Sequence, residues 1–424
     1  MKKSTHQPKE QGRYIALEAI KKKLLGKKLT YHEIFHIMDE IAHKRLSDVL
    51  TTYFVAASFK EGFSDEELFF LTKAMVDTGT KIHFKGIIAD KHSTGGLSGT
   101  RTTMIIVPII ASAGFTIPKL SSRAITSPAG TADTMEVLAP VTFTPKQVQH
   151  IVDKTGGCIV WNGVMGIAPA DDVIIEVEEP LSFESFDKII VSIMAKKVAV
   201  STTHLVLDIP VGKTMKIKRF VDAERVADKF HKLARRFDIK IVVDINETFE
   251  PSGRGIGPIL EVRDVLRVLE QKSERPLKLE AKALRLAGKL LDLCFKDAKI
   301  TRNAEEEVKR ILKSGQALKK FKEIVKAQGG NDQITADSLK ITSKTDEIKS
   351  HKKGKIVGIN NYNLNAIAKI LGAPEDKQAG MYLLKRIDDI VDKHEPLLLF
   401  YSSDAYRLKE ACESNTYLPI YQID

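Results

Sequence analysis

The sequence predicts an α/β protein in three parts: a small all-helical domain, a larger α/β domain with a mainly parallel central sheet, and an α+β C-terminal part. Three observations predict it. From about Arg13 to Thr78, apolar residues recur at three- and four-residue spacing, as in Ile34, Ile37, Met38, Ile41 and Leu46, the stripe of an amphipathic helix. From Gly86 to Asp244, short apolar runs alternate with helical patterns, which implies a sheet crossed by helices. From about Lys352 to Asp424, short β-rich runs surround one helical stretch, Asn363 to Leu371.

Each element has a local reason. Thr30 followed three residues later by Glu33 reads as a capping box that starts a helix, and Gly79 ends the helical segment. A strand is expected over Gly86 to Ala89, then a Gly/Ser-rich turn, then a helix over Thr102 to Ala113. Thr116 to Leu120 reads as the next strand, leading into a second Ser/Thr-rich loop. Cys158 to Trp161 and Leu205 to Ile209 read as buried strands, and Ile239 to Asp244 as another after a basic helix. Pro276 to Gln328 is helical again, and there is no internal repeat or low-complexity segment.

The 424 residues suffice for two domains with a substantial core, and 43% hydrophobic with 29% charged residues fits a globular chain. Three dispersed cysteines (Cys158, Cys294, Cys412) argue for a reducing compartment and against a thiolate zinc site. The longest apolar run, Met104 to Phe115, is too short to span a bilayer, and no secretory signal is visible, so a cytoplasmic location is expected. The net charge of +11 invites a nucleic-acid reading, but lysines are mixed with acids, as from Glu305 to Lys326, without an aromatic-plus-basic stripe. A solvated lysine-rich surface that attracts small anions is the better account, with no nucleic-acid or membrane partner.

The chemistry concentrates between Asp90 and Glu136. One cluster holds Lys91, Ser93, Thr94, Gly95, Gly96, Ser98, Gly99, Arg101, Thr102 and Thr103; the other holds Ser121, Ser122, Arg123, Thr126, Ser127, Gly130 and Thr131. Glycines expose backbone N–H groups, hydroxyls donate and cations balance charge, which is what a phosphate requires. Two such cradles suggest a substrate, or a substrate pair, with more than one phosphate. Neither is a P-loop or a GxGxxG turn.

This block, with KHSTGG, then PKLSSR, then GT, resembles the signature of the thymidine and pyrimidine nucleoside phosphorylase family. Its second half, KLSSRAITSPAGTADTMEVLAPV, is most similar to the AMP phosphorylase branch, and the likeness extends more loosely along the chain. The resemblance implies phosphorolysis of a nucleoside 5′-monophosphate, AMP foremost, to free base and ribose 1,5-bisphosphate, with inorganic phosphate as co-substrate and no cofactor. The alternative is a thymidine or pyrimidine nucleoside phosphorylase. An anthranilate-type phosphoribosyltransferase would show acid-rich magnesium signatures that are not found. The fold implied is nucleoside phosphorylase/phosphoribosyltransferase-like, with a discontinuous helical domain (1–80 and 167–201), an α/β domain (81–166 and 202–345) and a C-terminal part (346–424). The active site is expected in the cleft between domains, and a homodimer or higher oligomer is implied. AMP phosphorylases typically carry an extra N-terminal domain serving assembly, whereas this sequence begins almost at the helical domain.

Residue by residue, the resemblance assigns phosphate binding to Lys91, Ser93, Thr103, Ser121 and Thr131. It assigns nucleotide binding to Gly96, Ser122, Arg123, Ala124, Ile125, Thr126, Ser127, Thr131, Ser192, Lys196 and Lys216. His92, beside the phosphate lysine, is read either as proton donor and electrostatic stabiliser or as a residue that holds the turn. In the AMP branch an aspartate after a Pro-Leu pair protonates the purine. Glu184 stands there after Pro180-Leu181, among Glu176, Glu178, Glu179 and Asp187, acids that an exposed helix face would also explain. Glu178 occupies the place where thymidine phosphorylases keep a base-binding arginine, and an ionised carboxylate cannot donate to a carbonyl. The hydroxyls after Arg123 suit a nucleotide 5′-phosphate.

Two further strings compete for attention. His32-Glu33-Ile34-Phe35-His36 satisfies HExxH, with His43 nearby, but so short a pattern arises by chance, so no metal is expected. Gly253-Arg254-Gly255-Ile256-Gly257-Pro258 is interrupted by proline and is rejected as a dinucleotide turn; the AMP branch carries a similar segment near its cleft. Just upstream, Asn246-Glu247-Thr248-Phe249-Glu250 adds negative charge where relatives usually carry DGSQ-like residues.

Overall fold

The computed structural model describes residues 7–124, 127–178 and 185–424. Its chain order begins with α1 (Gln7–Leu24), α2 (Tyr31–Ala42), α3 (Asp48–Glu61) and α4 (Asp65–Asp77). It continues through β1 (Ala89–Ser93), α5 (Thr103–Ser112), β2 (Ile117–Ser121), α6 (Thr131–Glu136), α7 (Pro145–Thr155) and β3 (Gly157–Trp161). Then come α8 (Pro169–Glu178), α9 (Phe186–Ala199), β4 (His204–Val211), α10 (Phe220–Arg236), β5 (Lys240–Glu247) and β6 (Gly255–Ile256). Helices α11 (Pro258–Leu269), α12 (Leu277–Asp297), α13 (Ala304–Lys313) and α14 (Gln316–Ala327) precede the C-terminal part. That part holds β7 (Lys344–Lys349), β8 (Gly354–Ile359), α15 (Asn361–Leu371), β9 (Gly380–Leu383), β10 (Ile390–Val391), β11 (Pro396–Ser402), α16 (Ala405–Tyr417) and β12 (Tyr421–Ile423).

The chain divides into two compact units. The helical unit comprises Met1–Gly86, Asn162–Thr203 and Glu224–Ile241. Capping boxes start α2 (Thr30 with Glu33) and α4 (Ser64 with Glu67), each satisfying helix-end N–H groups with a side chain. Ile34, Ile37, Met38 and Ile41 are fully buried on α2, as their spacing requires. The returning helices α8 and α9 pack on α2 and α4. Inside this unit Lys23 and Glu67 form a buried ion pair at 3.0 Å, and Lys23 also donates to the Gly62 carbonyl at 2.8 Å.

The second unit comprises Ile87–Trp161, His204–Ala223 and Val242–Asp424. Strands β1, β4 and β5 lie side by side, with β1 and β4 parallel; β2 and β3 form a parallel pair. An isolated parallel bridge, Ile88 to Thr116, ties the start of β1 to the start of β2. Helix α5 (MIIVPIIA) is apolar all round because it is buried all round, packed by α12, α13 and α14 through residues such as Leu286, Leu290 and Phe321. The C-terminal part forms two antiparallel sheets, β10-β8-β12 and β6-β9-β11-β7, the latter taking β6 from before α11 and packing α15 and α16 through β7, β9 and β11.

Two expectations need correction. The first strand is Ala89–Ser93 and not Gly86 to Ala89, so Lys91, His92 and Ser93 lie on the strand and not in the turn. Its residues are charged and polar, and alternation alone does not reveal a strand whose polar side chains are needed at its carboxyl end. The C-terminal part has a second helix, α16, whose buried face is only Leu408 and Ala411, too little for periodicity to show. Among the described residues no helix is long and apolar enough to cross a membrane.

Candidate active site

In an α/β sheet, ligands gather at the carboxyl ends of strands, and both predicted clusters fall there, starting on the last residues of β1 and β2 and running into the loops that follow. β1 carries Lys91 into the interior, where it is 4% exposed and its Nζ lies 3.5 Å from Thr103 Oγ1 at the start of α5. Burial, aided by Lys282 and Arg101, lowers the Lys91 ammonium to about 8 against the pull of Asp208. Ser93 donates to Asp208 Oδ2 at 3.0 Å; Asp208 Oδ1 is 3.1 Å from Lys282 Nζ and accepts from Asn246 at 2.8 Å. Burial opposes the charge on Asp208, but Lys282, Lys91 and the Asn246 hydrogen bond hold its carboxyl below the usual range. Behind this layer, buried Lys119 bridges Asp90 (3.2 Å) and the Lys91 carbonyl (2.7 Å), locking β2 to β1.

The turn after β1 needs its glycines. Gly96 has φ +85°, and a Cβ there would come within 2.9 Å of Lys216 Cγ, so this glycine lets Lys216 lie against the turn. His92 is half-buried on β1, next to Lys91. The hydroxyls of Thr94, Thr102 and Ser121 are buried with no hydrogen-bond partner among the described residues, which suits donors awaiting a ligand. Arg101 connects the clusters: it pairs with buried Glu261, donates to Thr131 Oγ1 at 3.3 Å and to the Ala129 carbonyl at 2.7 Å.

The loop after β2 is organised by two acids of α6. Arg123 makes a bidentate pair with Glu136 (2.6 Å twice), bonds Asp133 at 3.0 Å, and lies 4.7 Å from the centre of the Trp161 ring. Hydrogen bonds from Arg123 hold Glu136 at about 2, and those acids raise Arg123 further. Lys377 joins the same carboxylates at 3.1 and 3.5 Å. Asp133 also accepts from the Ala124 and Gly130 N–H groups at 2.7 and 2.9 Å. Ser122 is exposed, and Ser127 donates to the Ala129 carbonyl at 3.1 Å. Ile125 and Thr126 lie outside the described residues.

On the helical unit, Ser192 and Lys196, four apart on α9, share a face. Both reach one oxygen of fully buried Asp171, at 2.7 and 2.6 Å. The neighbouring acids are not one exposed face. Glu178 is buried beside Lys188 at 2.7 Å, and Asp187 is buried, accepting from the Phe63 N–H at 3.0 Å and pairing with Lys229. Glu176 is exposed and pairs with Lys44 at 3.3 Å. Glu179 and Glu184 lie outside the described residues.

Residues 17–79 match the helical bundle domain, and residues 85–318 the a/b domain, of a glycosyl transferase family. The chain is 41% identical, over 96% of its length and 80% of the relative's, to AMP phosphorylase 1 of Archaeoglobus fulgidus. It is 43% identical to an AMP phosphorylase of Thermofilum pendens, over 93% of this chain and 76% of that one. The chain belongs to the thymidine and AMP phosphorylase family. A Legionella pneumophila relative with a provisional thymidine phosphorylase name is 40% identical over 94% of this chain and 76% of its own. The crystal structure of anthranilate phosphoribosyltransferase from Thermus thermophilus shares the fold, with TM-score 0.60, 18% identity, and coverage of 74% of this chain and 99% of that one.

Within this phosphorylase family fold, the competing strings find structural roles. Glu33 of the HExxH string caps α2 and pairs with Lys22 at 2.9 Å, while the His32 and His36 Nε2 atoms are 3.2 Å apart. No group of three or more His, Cys, Asp or Glu able to hold a metal occurs among the described residues. The GRGIGP segment joins the C-terminal sheets to the α/β layers: β6 pairs with β9, Arg254 donates to the carbonyls of Leu383 and Leu384, and Asp264 accepts from the Arg254 and Gly255 N–H groups. The acidic departure upstream also has an account. Asn246 bridges Asp208 and Asp244, and buried Glu250 is neutralised by Lys278 and by Arg386 at 3.8 Å.

The residues that sequence reasoning missed are the partners: Asp171, Asp208, Lys282, Asp133 and Glu136. Four lie on helices among ordinary-looking polar and charged residues, and Asp208 interrupts the apolar strand β4. Only their burial, or a shared partner, singles them out.

Proposed function

We propose that this phosphorylase cleaves the N-glycosidic bond of a nucleoside 5′-monophosphate, AMP foremost, with inorganic phosphate, giving free base and ribose 1,5-bisphosphate. The observation that carries it is likeness to AMP phosphorylases over nearly the whole chain. Glu178 adds to it. A carboxylate paired with Lys188 stands where pyrimidine enzymes use arginine, and it offers no donor to a pyrimidine carbonyl.

In the reaction a phosphate oxygen forms a bond to the anomeric carbon while the carbon–nitrogen bond breaks, its electron pair leaving with the base. Lys91 supplies charge to the phosphate, and Ser93, Thr103, Ser121 and Thr131 supply directed donors. Phosphate competes with Asp208 for the Ser93 proton. Arg123 and the loop 122–127 take the 5′-phosphate in exchange for part of the Glu136 pairing, Gly96 and Lys216 contact the nucleotide, and Ser192 and Lys196 contact the base. Glu184 protonates the leaving base, and His92 either assists electrostatically or holds Lys91 and Ser93 in place. The reading needs no resident cofactor or metal; it further proposes a cytoplasmic homo-oligomer built through the helical unit, with no nucleic-acid partner.

The test is phosphate-dependent release of base from a panel of nucleotides and nucleosides. Buried donors left unpaired reject an analogue lacking the 5′-phosphate, so AMP should exceed adenosine in kcat/KM by roughly 10³-fold, with thymidine a poor substrate. Thymidine or uridine cleaved faster than AMP, at equal concentration and saturating phosphate, would establish the nucleoside phosphorylase alternative.

A further inference from the structure

Asp171 has no exposed surface, yet it is the acid on which the helical unit's functional residues converge. Its Oδ2 accepts from both Ser192 Oγ (2.7 Å) and Lys196 Nζ (2.6 Å), while its Oδ1 is buried with no hydrogen-bond partner among the described residues. Burial opposes its charge, but Lys196, Lys188 and the two hydrogen bonds hold the carboxyl below the usual range. An ionised carboxylate only accepts, and a serine hydroxyl has one proton. Ser192 therefore spends that proton on Asp171 and presents only lone pairs elsewhere. Lys196 keeps two of its three N–H groups. Both side chains are half-buried, so each retains an accessible side.

We infer that Asp171 is a positioning residue that fixes Ser192 as a hydrogen-bond acceptor beside the Lys196 donor, selecting a base edge that carries a donor next to an acceptor. In a purine nucleotide the 6-amino group beside a ring nitrogen is such an edge. The inference rests on the proposed phosphorolysis and on Ser192 and Lys196 meeting the base. It goes further by setting the polarity of the contact and by giving the buried acid its task. With an apolar side chain at position 171, Ser192 has no acceptor there, so its proton is released and the selection is lost; an amide oxygen still accepts and keeps it.

The experiment compares AMP with purine riboside 5′-monophosphate, which lacks only the 6-amino group. The quantity read is R, the ratio of their kcat/KM values, in the wild type, Asp171→Leu and Ser192→Ala. Intrinsic differences between the two leaving bases cancel when R is compared between proteins. An acceptor that loses its partner typically costs about tenfold or more, so R should fall by about that factor in both variants, mainly through slower AMP cleavage. Loss of both activities by the same factor, leaving R within about twofold of wild type, would mean that Asp171 is merely structural and would overturn the inference. A fall in R for Ser192→Ala alone would overturn it too, since Asp171 would then not set the polarity. Should Asp171→Leu not fold, Asp171→Asn and Ser192→Thr decide: in each the hydroxyl at 192 can still donate to an oxygen at 171 and R must be retained, and loss of R there overturns the inference. Wild-type protein that cleaves no nucleotide would overturn the phosphorolysis reading itself, whereas normal AMP cleavage with an unchanged R would sink only the role given to Asp171.

Discussion

Lys91 offers the sharpest quantitative prediction because its environment moves its titration into an accessible range. Burial with Lys282 and Arg101 nearby brings its ammonium down to about 8 in the ligand-free protein. In its proposed phosphate-binding role Lys91 must be charged, so the fraction of competent enzyme should fall about tenfold for each pH unit above that value. With AMP saturating, kcat/KM for phosphate should be level below about pH 7.5 and fall with a limiting slope near one decade per unit above about pH 8.5. Bound phosphate stabilises the ammonium by linkage, so kcat at saturating phosphate should hold to higher pH. Lys91→Met should lose about a hundredfold or more at neutral pH, the scale of a charge-assisted contact to a transition-state anion, and should lack the alkaline limb. Stability should move the other way. A folded value of about 8 against an ordinary 10.5 means that the native state binds fewer protons than the unfolded chain in that window. The wild type should therefore gain stability relative to Lys91→Met as pH rises from about 8 to 10.5, and not below it. A flat phosphate profile from pH 7 to 10, or near-normal turnover by well-folded Lys91→Met, would refute the assignment.

Glu184→Gln should lower kcat with AMP roughly 10²–10⁴-fold, the usual scale of general acid catalysis, and a substrate with a good leaving group should escape most of that loss; an equal loss on both substrates would remove Glu184 from the role. Arg123→Ala should erase most of the roughly 10³-fold preference for AMP over adenosine, harming adenosine less. In the same assay Glu136→Gln should lower KM for AMP, because a carboxylate that competes for the guanidinium is gone; a raised KM would show that Glu136 is needed to aim Arg123.

Much of the fold was legible because its determinants are short-range. The Thr30–Glu33 capping box, the apolar stripe of α2, the uniformly apolar α5 and the strands β2, β3 and β4 all follow from residues within a few positions of one another. The strand β1 escaped because DKHS is polar, and α16 escaped because so little of it is buried. The proposed phosphate cradles stood out for a related reason: Gly, Ser, Thr and Lys crowd into two short segments, as surrounding an anion requires.

What the sequence determined by itself was therefore the family and the two Gly/Ser/Thr/Lys-rich segments proposed to meet the ligands. What tertiary structure decided was how those residues are charged and aimed. The parallel register of β1 and β4 sets Ser93 opposite Asp208, more than a hundred positions away, and α12 brings Lys282 to the same carboxylate. Likewise, the meeting of α8 and α9 places Asp171 under Ser192 and Lys196, and α6 folds Asp133 and Glu136 onto Arg123. A carboxylate reads the same in sequence whether it is solvated or buried. Its effect on a neighbour depends on distance and dielectric, and only the folded chain fixes those two quantities.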